Sequence, residues 1–158
     1  TSAATPPQPP SAPDGNAREK LVRLKTAPDG ALLLPSIFRG ASGKPRFVLP
    51  VPKQFLDDIA IKHLIERESR QGGFGYPTRA FFDAHLEPGD LFIDVGAHWD
   101  VFSLGAATRH PGEISVLAIE AEPANVAQLL RGVAHNRLTD NIETVAAAAG
   151  DALPAPLP

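Results

Sequence analysis

The chain has 158 residues, of which 43% are hydrophobic, so it is long enough for one compact domain and too short for two of ordinary size. Its 15 Lys and Arg residues against 18 Asp and Glu give a net charge of −3, which creates no broad field for nucleic acid or an anionic membrane. The absence of cysteine excludes disulfides, thiolate metal sites and cysteine nucleophiles.

The hydropathy of the chain and the composition of its amino end predict its location in the cell. No apolar stretch approaches the ~20 residues that cross a bilayer, and the amino end lacks the basic-then-apolar order of a signal peptide. We therefore predict a soluble, cytoplasmic protein with neither nucleic acid nor membrane as a partner. Because the chain begins at Thr1 and contains no methionine, we interpret it as a processed or excised piece.

The amino-terminal half is predicted to consist of a tail and a lead-in to the main domain. Residues 1–16 are rich in Pro, Ala and Ser with little apolar surface to bury, which predicts a disordered tail. Within the lead-in, residues 17–87, short apolar runs are separated by turn residues at 29–30 and 40–43. This pattern indicates an antiparallel β-hairpin.

Two helices are predicted to follow the hairpin. Apolar residues at helical spacing indicate an amphipathic helix over Lys53–Arg70, and Thr78 is a candidate cap for a second helix that ends at Leu86. Three charged residues near the end of the first helix are interpreted as one solvated face: Arg67, Glu68 and Arg70.

The most informative segment is Leu91–Ser103, LFIDVGAHWDVFS, which predicts a strand, a turn of small residues and the start of a helix. Further strands are predicted at 114–119 and 142–148, with a helix that opens at Pro123 between them. Strands that alternate with helices imply a parallel sheet with right-handed crossovers. The predicted fold class is therefore α/β, with a main domain over residues 88–151 and a Pro-rich end over 152–158.

Two acidic residues lie at the ends of predicted strands and indicate a ligand-binding site. Asp94 closes the first strand and Glu120 the second, at the spacing where dinucleotide folds place an acid that binds ribose hydroxyls. Nicotinamide dinucleotides and S-adenosylmethionine both use this layout. The chain lacks the G-x-G-x-x-G of the dinucleotide folds and has Asp100 where phosphate would approach, so S-adenosylmethionine is favoured.

Three segments of the main domain resemble successive signatures of the FkbM family of S-adenosylmethionine-dependent methyltransferases: FIDVGAHWDVFSLGAA, VLAIEAEPANVAQLLRGVAHNRL and NIETVAAAAGD. The family shows a DVGAN-x-G-x-FS turn, FEP-x-P after the next strand, a helix that ends near LN-x-L, and A-x-GD. The resemblance covers roughly residues 88–151. It implies a Rossmann-like methyltransferase sheet, truncated after the third strand, with an amino-terminal hairpin and helices, and methyl transfer to a small-molecule or sugar hydroxyl.

The resemblance also implies cofactor-binding residues, carried over by position. The methionine end of S-adenosylmethionine would lie on Asp94, Gly96, Ala97 and His98, with Ser103 near the turn. Glu120 would hold the ribose and the adenine would lie near Ala121 and Glu122, with Ala147 and Ala148 at its far edge.

The sequence departs from the family pattern at several positions. His98 replaces an Asn, Ala121 replaces a Pro, and Asp100 replaces a Gly, so that a negative charge is expected near the carboxylate of the ligand. The family's next strand, with a K-x-D-x-E-G-like sequence facing the acceptor, is absent. No catalytic residue is assigned. The alternative is a truncated or degenerate member that acts as a binding or assembly module and self-associates through the open sheet edge after the strand at 142–148.

Other interpretations stay open beside these. Asp94 could simply cap the following helix, Glu120 could be a solvated loop acid, and Trp99 and Tyr76 are more often packing groups than ligand platforms. Four histidines have no metal-like spacing and are interpreted as surface or packing residues: His63, His85, His110 and His135.

Overall fold

The computed structural model describes residues 24–36, 38–70 and 74–150. The predicted tail at 1–16 and the Pro-rich end at 152–158 therefore lie outside the described residues. The elements, in chain order, are β1 Leu32–Pro35, β2 Val48–Val51, a 3-10 turn Lys53–Phe55, α1 Ile59–Arg70, α2 Tyr76–His85, β3 Leu91–Val95, α3 Val101–Ala107, β4 Ser115–Glu120, α4 Pro123–His135 and β5 Ile142–Ala146.

The predicted α/β class is confirmed. Strands β1 and β2 form an antiparallel hairpin, and β3, β4 and β5 form a parallel sheet in that order. The parallel order, with a helix after β3 and another after β4, is typical of one half of a Rossmann-like sheet. The described helices include none that is long and apolar enough to span a membrane.

Two predicted helix starts are wrong, each for a local reason. The helix predicted from Lys53 is a short 3-10 turn followed by α1, because Asp58 Oδ1 accepts the N–H groups of Ala60 and Ile61 (2.8 and 3.1 Å) and so caps a new helix. Helix α2 begins before Thr78, since Gly75 at φ +62° supplies the left-handed residue at its start.

One face of the parallel sheet is covered by α3 and α4. Both crossovers run in the same direction along the sheet, and right-handed crossovers then place both helices on one face. Val116 and Ala118 of β4 are buried there. The hairpin packs against α4, and the Asn136 side chain after that helix exchanges two hydrogen bonds with the Val48 backbone (2.8 and 2.7 Å).

The other face of the sheet is uncovered by the described residues. Leu91, Ile93 and Val95 of β3 alternate with covered residues and are 61%, 54% and 61% exposed. These three side chains, termed here the bare β3 face, form an apolar stripe on an edge strand. Such a stripe marks a surface that a further part of a fold or a partner covers.

The interpretation of Glu68 as part of a solvated face is wrong. Its side chain is 4% exposed and forms an ion pair with Arg79 of α2, which is 3% exposed. Arg79 also donates to the Ser36 hydroxyl (3.0 Å) and lies 4.4 Å from the ring centre of Phe38. The pair therefore joins α1, α2 and the end of β1, while Arg67 is exposed as predicted.

Candidate functional site

Asp94 and Glu120 lie on the same face of the sheet at neighbouring strand ends. Asp94 pairs with Ala118 in the β3–β4 register, and Glu120 lies two residues beyond Ala118. Because alternate residues of a strand share a face, both carboxylates project to the face that α3 and α4 cover. They approach closely enough for the charge of Glu120 to act on the pKa of Asp94.

Glu120 fastens the turn after β3 to the start of α4. Its Oε2 accepts the His98 N–H (2.9 Å), and its Oε1 accepts the Glu122 N–H (2.9 Å) and the Asn125 amide (3.3 Å). The bond from Glu122 is the largest cause that holds the pKa of Glu120 below its ordinary value, and burial opposes it. With the residue 8% exposed and three bonds made, Glu120 is a positioned carboxylate and not a solvated loop acid.

Asp94 is bound mainly to α3. Its carboxylate accepts the Ser103 hydroxyl (2.7 Å) and the Ser103 N–H, which belongs to the first turn of that helix. Burial raises the pKa of Asp94, the Ser103 bonds lower it, and the Glu120 charge raises it further. This geometry favours the interpretation that Asp94 caps the helix. Ser103 is fully buried and contacts the site through its bonds to Asp94.

The backbone N–H groups of the turn after β3 are used inside the chain. Gly96 and Ala97 both donate to the Ile119 carbonyl (2.8 and 3.1 Å), and His98 donates to Glu120. In a phosphate-binding turn such groups face the ligand. The turn is therefore built to join two strand ends, which disfavours a dinucleotide held by its pyrophosphate.

The expectation that Asp100 brings a negative charge to the ligand is wrong. Its side chain is fully buried at φ +64° and points to Gly132 of α4, with no hydrogen-bond partner for either carboxylate oxygen among the described residues. Burial raises the pKa of Asp100 well above its ordinary value, and the Asp94 charge adds to this. The Asp100 carboxyl group therefore acts on the interior of the domain.

The remaining predicted site residues surround the end of β4. Ala121 and Glu122 are exposed directly after it, and the Ala147 N–H donates to the Glu120 carbonyl (3.0 Å), which brings 147–148 to the same edge. Among the described residues, the predicted positions therefore lie near the carboxyl ends of β3 and β4, and Ser103 among them is fully buried.

A cavity of about 340 Å³ opens beside the turn after β3, between that turn and α1. Its buried walls include Ile61, Leu64 and Trp99, while exposed His63 and His98 lie at its rim. We name it the Trp99 cavity. No carboxylate is among the described residues that line it, but three of the predicted cofactor-binding residues are: Gly96, Ala97 and His98.

Sequence reasoning missed two of these residues. The Asn125 side chain donates a hydrogen bond to Glu120 and accepts one from the Trp99 indole N–H (3.2 Å). Its position in the sequence, as a polar residue in the first helical turn after the acid of β4, could have indicated this role. His63 was interpreted as a surface or packing residue and lies on the cavity rim. Among the described residues, no group of His, Asp or Glu side chains is arranged to hold a metal ion.

Comparison with known proteins adds little to this geometry. No family model and no curated protein matches the chain. Among solved structures, a METTL16 MTase domain is similar to it at 22% sequence identity and a TM-score of 0.38, over 49% of this chain and 31% of that one. This chain thus spans about a third of that structure. A likeness at this level carries no functional argument, so the FkbM resemblance stays a prediction.

Proposed function

We propose that this chain binds S-adenosylmethionine across the ends of β3 and β4 and belongs to a methyltransferase that acts on a hydroxyl oxygen of a small molecule or sugar. The observation that carries the proposal is the fixed Glu120 carboxylate beside Asp94 on one sheet face. In open α/β sheets, ligands bind outside the carboxyl ends of the strands, where both carboxylates lie.

The residues around Glu120 fit a nucleoside. A carboxylate offers about four lone-pair sites, and Glu120 uses three of them for His98, Glu122 and Asn125. One acceptor site therefore remains for a ribose hydroxyl. The exposed Ala121 and Ala147 provide small, apolar neighbours on which a flat adenine ring can rest.

S-adenosylmethionine supplies a methyl group on a sulfonium, so the acceptor oxygen bonds the methyl carbon as the carbon–sulfur bond breaks and the electron pair passes to sulfur. Such a displacement depends on positioning of the two reactants. Glu120 and Asn125 contribute by holding the turn that ends at His98 in one conformation. No residue of the described chain is assigned as a general base.

Calorimetric titration with S-adenosylmethionine, S-adenosylhomocysteine and NAD tests the proposal. We expect saturable heat from the first two and none from NAD. Adenosine and 2′,3′-dideoxyadenosine then examine the role of Glu120. The dideoxy compound should bind the wild type about tenfold more weakly than adenosine, in line with hydrogen bonds to a charged group, whereas Glu120→Gln should reduce this difference.

Glu143→Gln is the matched control, because Glu143 is exposed on β5 and its substitution should leave all affinities unchanged. No heat from either adenosyl compound would overturn the proposal. Equal loss of adenosine and dideoxyadenosine binding in Glu120→Gln would show that Glu120 acts through the turn and not on the ribose.

A second candidate function, an assembly module, is favoured by the bare β3 face. β3 is an edge strand of the described sheet, and its exposed side chains are apolar. Edge strands of this kind pair with other chains. Light scattering across a hundredfold range of protein concentration tests it, and a constant monomer mass would exclude self-association through this edge.

A further inference from the structure

The walls of the Trp99 cavity are flat and aromatic. Phe74, Trp99 and Phe102 present rings to it. The Trp99 ring is held in place, since its N–H donates to Asn125 (3.2 Å) and the Phe55 ring packs edge-on at 5.1 Å between centres. Rigid aromatic walls favour planar rings, which stack or meet them edge to face.

The cavity is unsuited to charged ligand groups. No acidic or basic side chain other than the two rim histidines is among the described residues that line it. A zwitterion or a phosphate would be desolvated there without a partner of opposite charge, which is costly. Gly96, Ala97 and His98, on which the resemblance places the methionine end of the methyl donor, also line the cavity, and the lack of a charged partner disfavours that placement.

The cavity wall combines buried aliphatic side chains with two exposed histidines. Ile61, Leu64 and Val101 are buried and aliphatic, whereas His63 and His98 are exposed at the rim. A sugar, with hydroxyls around its whole ring, would leave most of them without hydrogen bonds. A ring with one hydroxyl at its edge can bury its apolar part and keep the hydroxyl at the rim.

We propose that the Trp99 cavity binds a planar, uncharged aromatic ring that carries a hydroxyl group directed at His63 and His98. Its volume of about 340 Å³ falls within the range of small-molecule sites. The assignment of this ring as the methyl acceptor rests on the proposed function, because His98 lies on the turn that Glu120 also holds. The hydroxyl proton would leave through the rim to solvent as the oxygen gains the methyl carbon.

Trp99 is the single tryptophan of the chain, so its indole N–H gives one resolved NMR signal at the cavity wall. We would titrate the ¹⁵N-labelled chain with 4-methylphenol, 4-methylcyclohexanol and methyl glucoside. We expect a saturable shift of the Trp99 signal with 4-methylphenol, at least about threefold weaker binding of the non-planar alcohol, and no shift with the glucoside.

Two variants test whether 4-methylphenol binds inside the Trp99 cavity. Ala60 is exposed and lines the cavity, so Ala60→Phe should obstruct the mouth and weaken 4-methylphenol binding about tenfold or more. Arg67→Phe, at an exposed position of the same helix outside the cavity, is the control and should bind normally. His63→Leu should weaken 4-methylphenol about three- to tenfold, the value of one hydrogen bond, and leave toluene binding unchanged.

The proposal is overturned if methyl glucoside shifts the Trp99 signal and 4-methylphenol does not, or if Ala60→Phe binds 4-methylphenol as the wild type does. Failure of the proposed function gives a different result, namely no calorimetric heat with S-adenosylhomocysteine while 4-methylphenol still binds. That result would support the aromatic-binding site and reject its assignment as the methyl-acceptor site.

Discussion

A Cβ atom at Gly132 would lie 2.5 Å from Oδ2 of Asp100, so the absence of a side chain near the end of α4 makes room for the carboxyl group of the turn after β3. Gly132 is helical and buried, and an alanine there would ordinarily be favoured by about 1 kcal/mol. The two residues are therefore mutually dependent, and the effect of changing one should depend on the other.

We expect Gly132→Ala to lower the free energy of unfolding of the wild type by about 1–3 kcal/mol, the usual effect of overpacking. In the Asp100→Gly background the same change should instead raise it by up to about 1 kcal/mol. Urea denaturation of the four proteins in a double-mutant cycle measures this. If the two substitutions were additive, the proposed contact would be absent in solution.

The pH dependence of stability should report the buried Asp100. Because burial raises its pKa in the folded protein, the folded state binds the proton more readily than the unfolded chain, whose Asp pKa is about 3.9. The stability contribution of Asp100 is thus fully present below that value and is lost as the pH rises through the folded pKa.

Asp100→Asn carries no titratable group at this position, so the free energy of unfolding of the wild type should fall relative to this variant between about pH 4 and the folded pKa. Asp94 carries the charge that acts on Asp100. Both Asp94 and Glu120 are present in the wild type and in the variant, so the comparison isolates Asp100. Chemical denaturation at several pH values measures the difference. A difference that does not change with pH would contradict a raised pKa.

The strands and helices of the main domain could be predicted because their signals are local. The apolar run 91–95 and the Pro123 start of α4 are confirmed as strand and helix boundaries. The burial of Glu68 could not be predicted, since it depends on Arg79 in the next helix and no periodicity of α1 reveals that partner.

For the candidate site, the strand ends placed Asp94 and Glu120 on one sheet edge, because residue order alone fixes where parallel strands finish. The direction of the Asp100 side chain could not be predicted in the same way. It depends on the left-handed backbone at Asp100 and on the space left by Gly132, which is distant in sequence.

The Glu68–Arg79 ion pair should be costly to break from one side. Glu68→Ala leaves a buried guanidinium without its carboxylate, and we expect a loss of about 3–5 kcal/mol in the free energy of unfolding. The double variant Glu68→Met, Arg79→Leu removes both charges and should recover most of it. A double variant as unstable as Glu68→Ala would show that packing against Phe38, and not charge, dominates.

Gly75 is required for two reasons at the start of α2. It adopts φ +62°, and a Cβ there would lie 2.6 Å from Cζ of Phe102, a wall residue of the Trp99 cavity. Gly75→Ala should therefore cost about 1–2 kcal/mol from the backbone plus the displacement of Phe102. Gly89→Ala is the control, because Gly89 also has a positive φ, +94°, with nothing near its Cβ position. Thermal unfolding of both variants measures the difference, and equal costs would remove Phe102 from the explanation.

The two faces of the parallel sheet should respond differently to one and the same substitution. Val116 of β4 is 2% exposed on the covered face, whereas Val95 of β3 is 61% exposed on the bare β3 face. Val→Thr preserves shape and introduces a hydroxyl, so Val116→Thr should cost about 1–3 kcal/mol for a buried polar group, while Val95→Thr should change the free energy of unfolding by less than about 0.5 kcal/mol.

Urea denaturation at two protein concentrations measures both variants and shows the cause of any destabilisation by Val95→Thr that is larger than expected. An equally large loss in Val95→Thr would mean that the bare β3 face is covered in solution. If that loss also depends on protein concentration, the cover is a second copy of the chain, because the stability of an associated form rises with concentration. A loss independent of concentration would place the cover within the same chain, against the apolar stripe of Leu91, Ile93 and Val95.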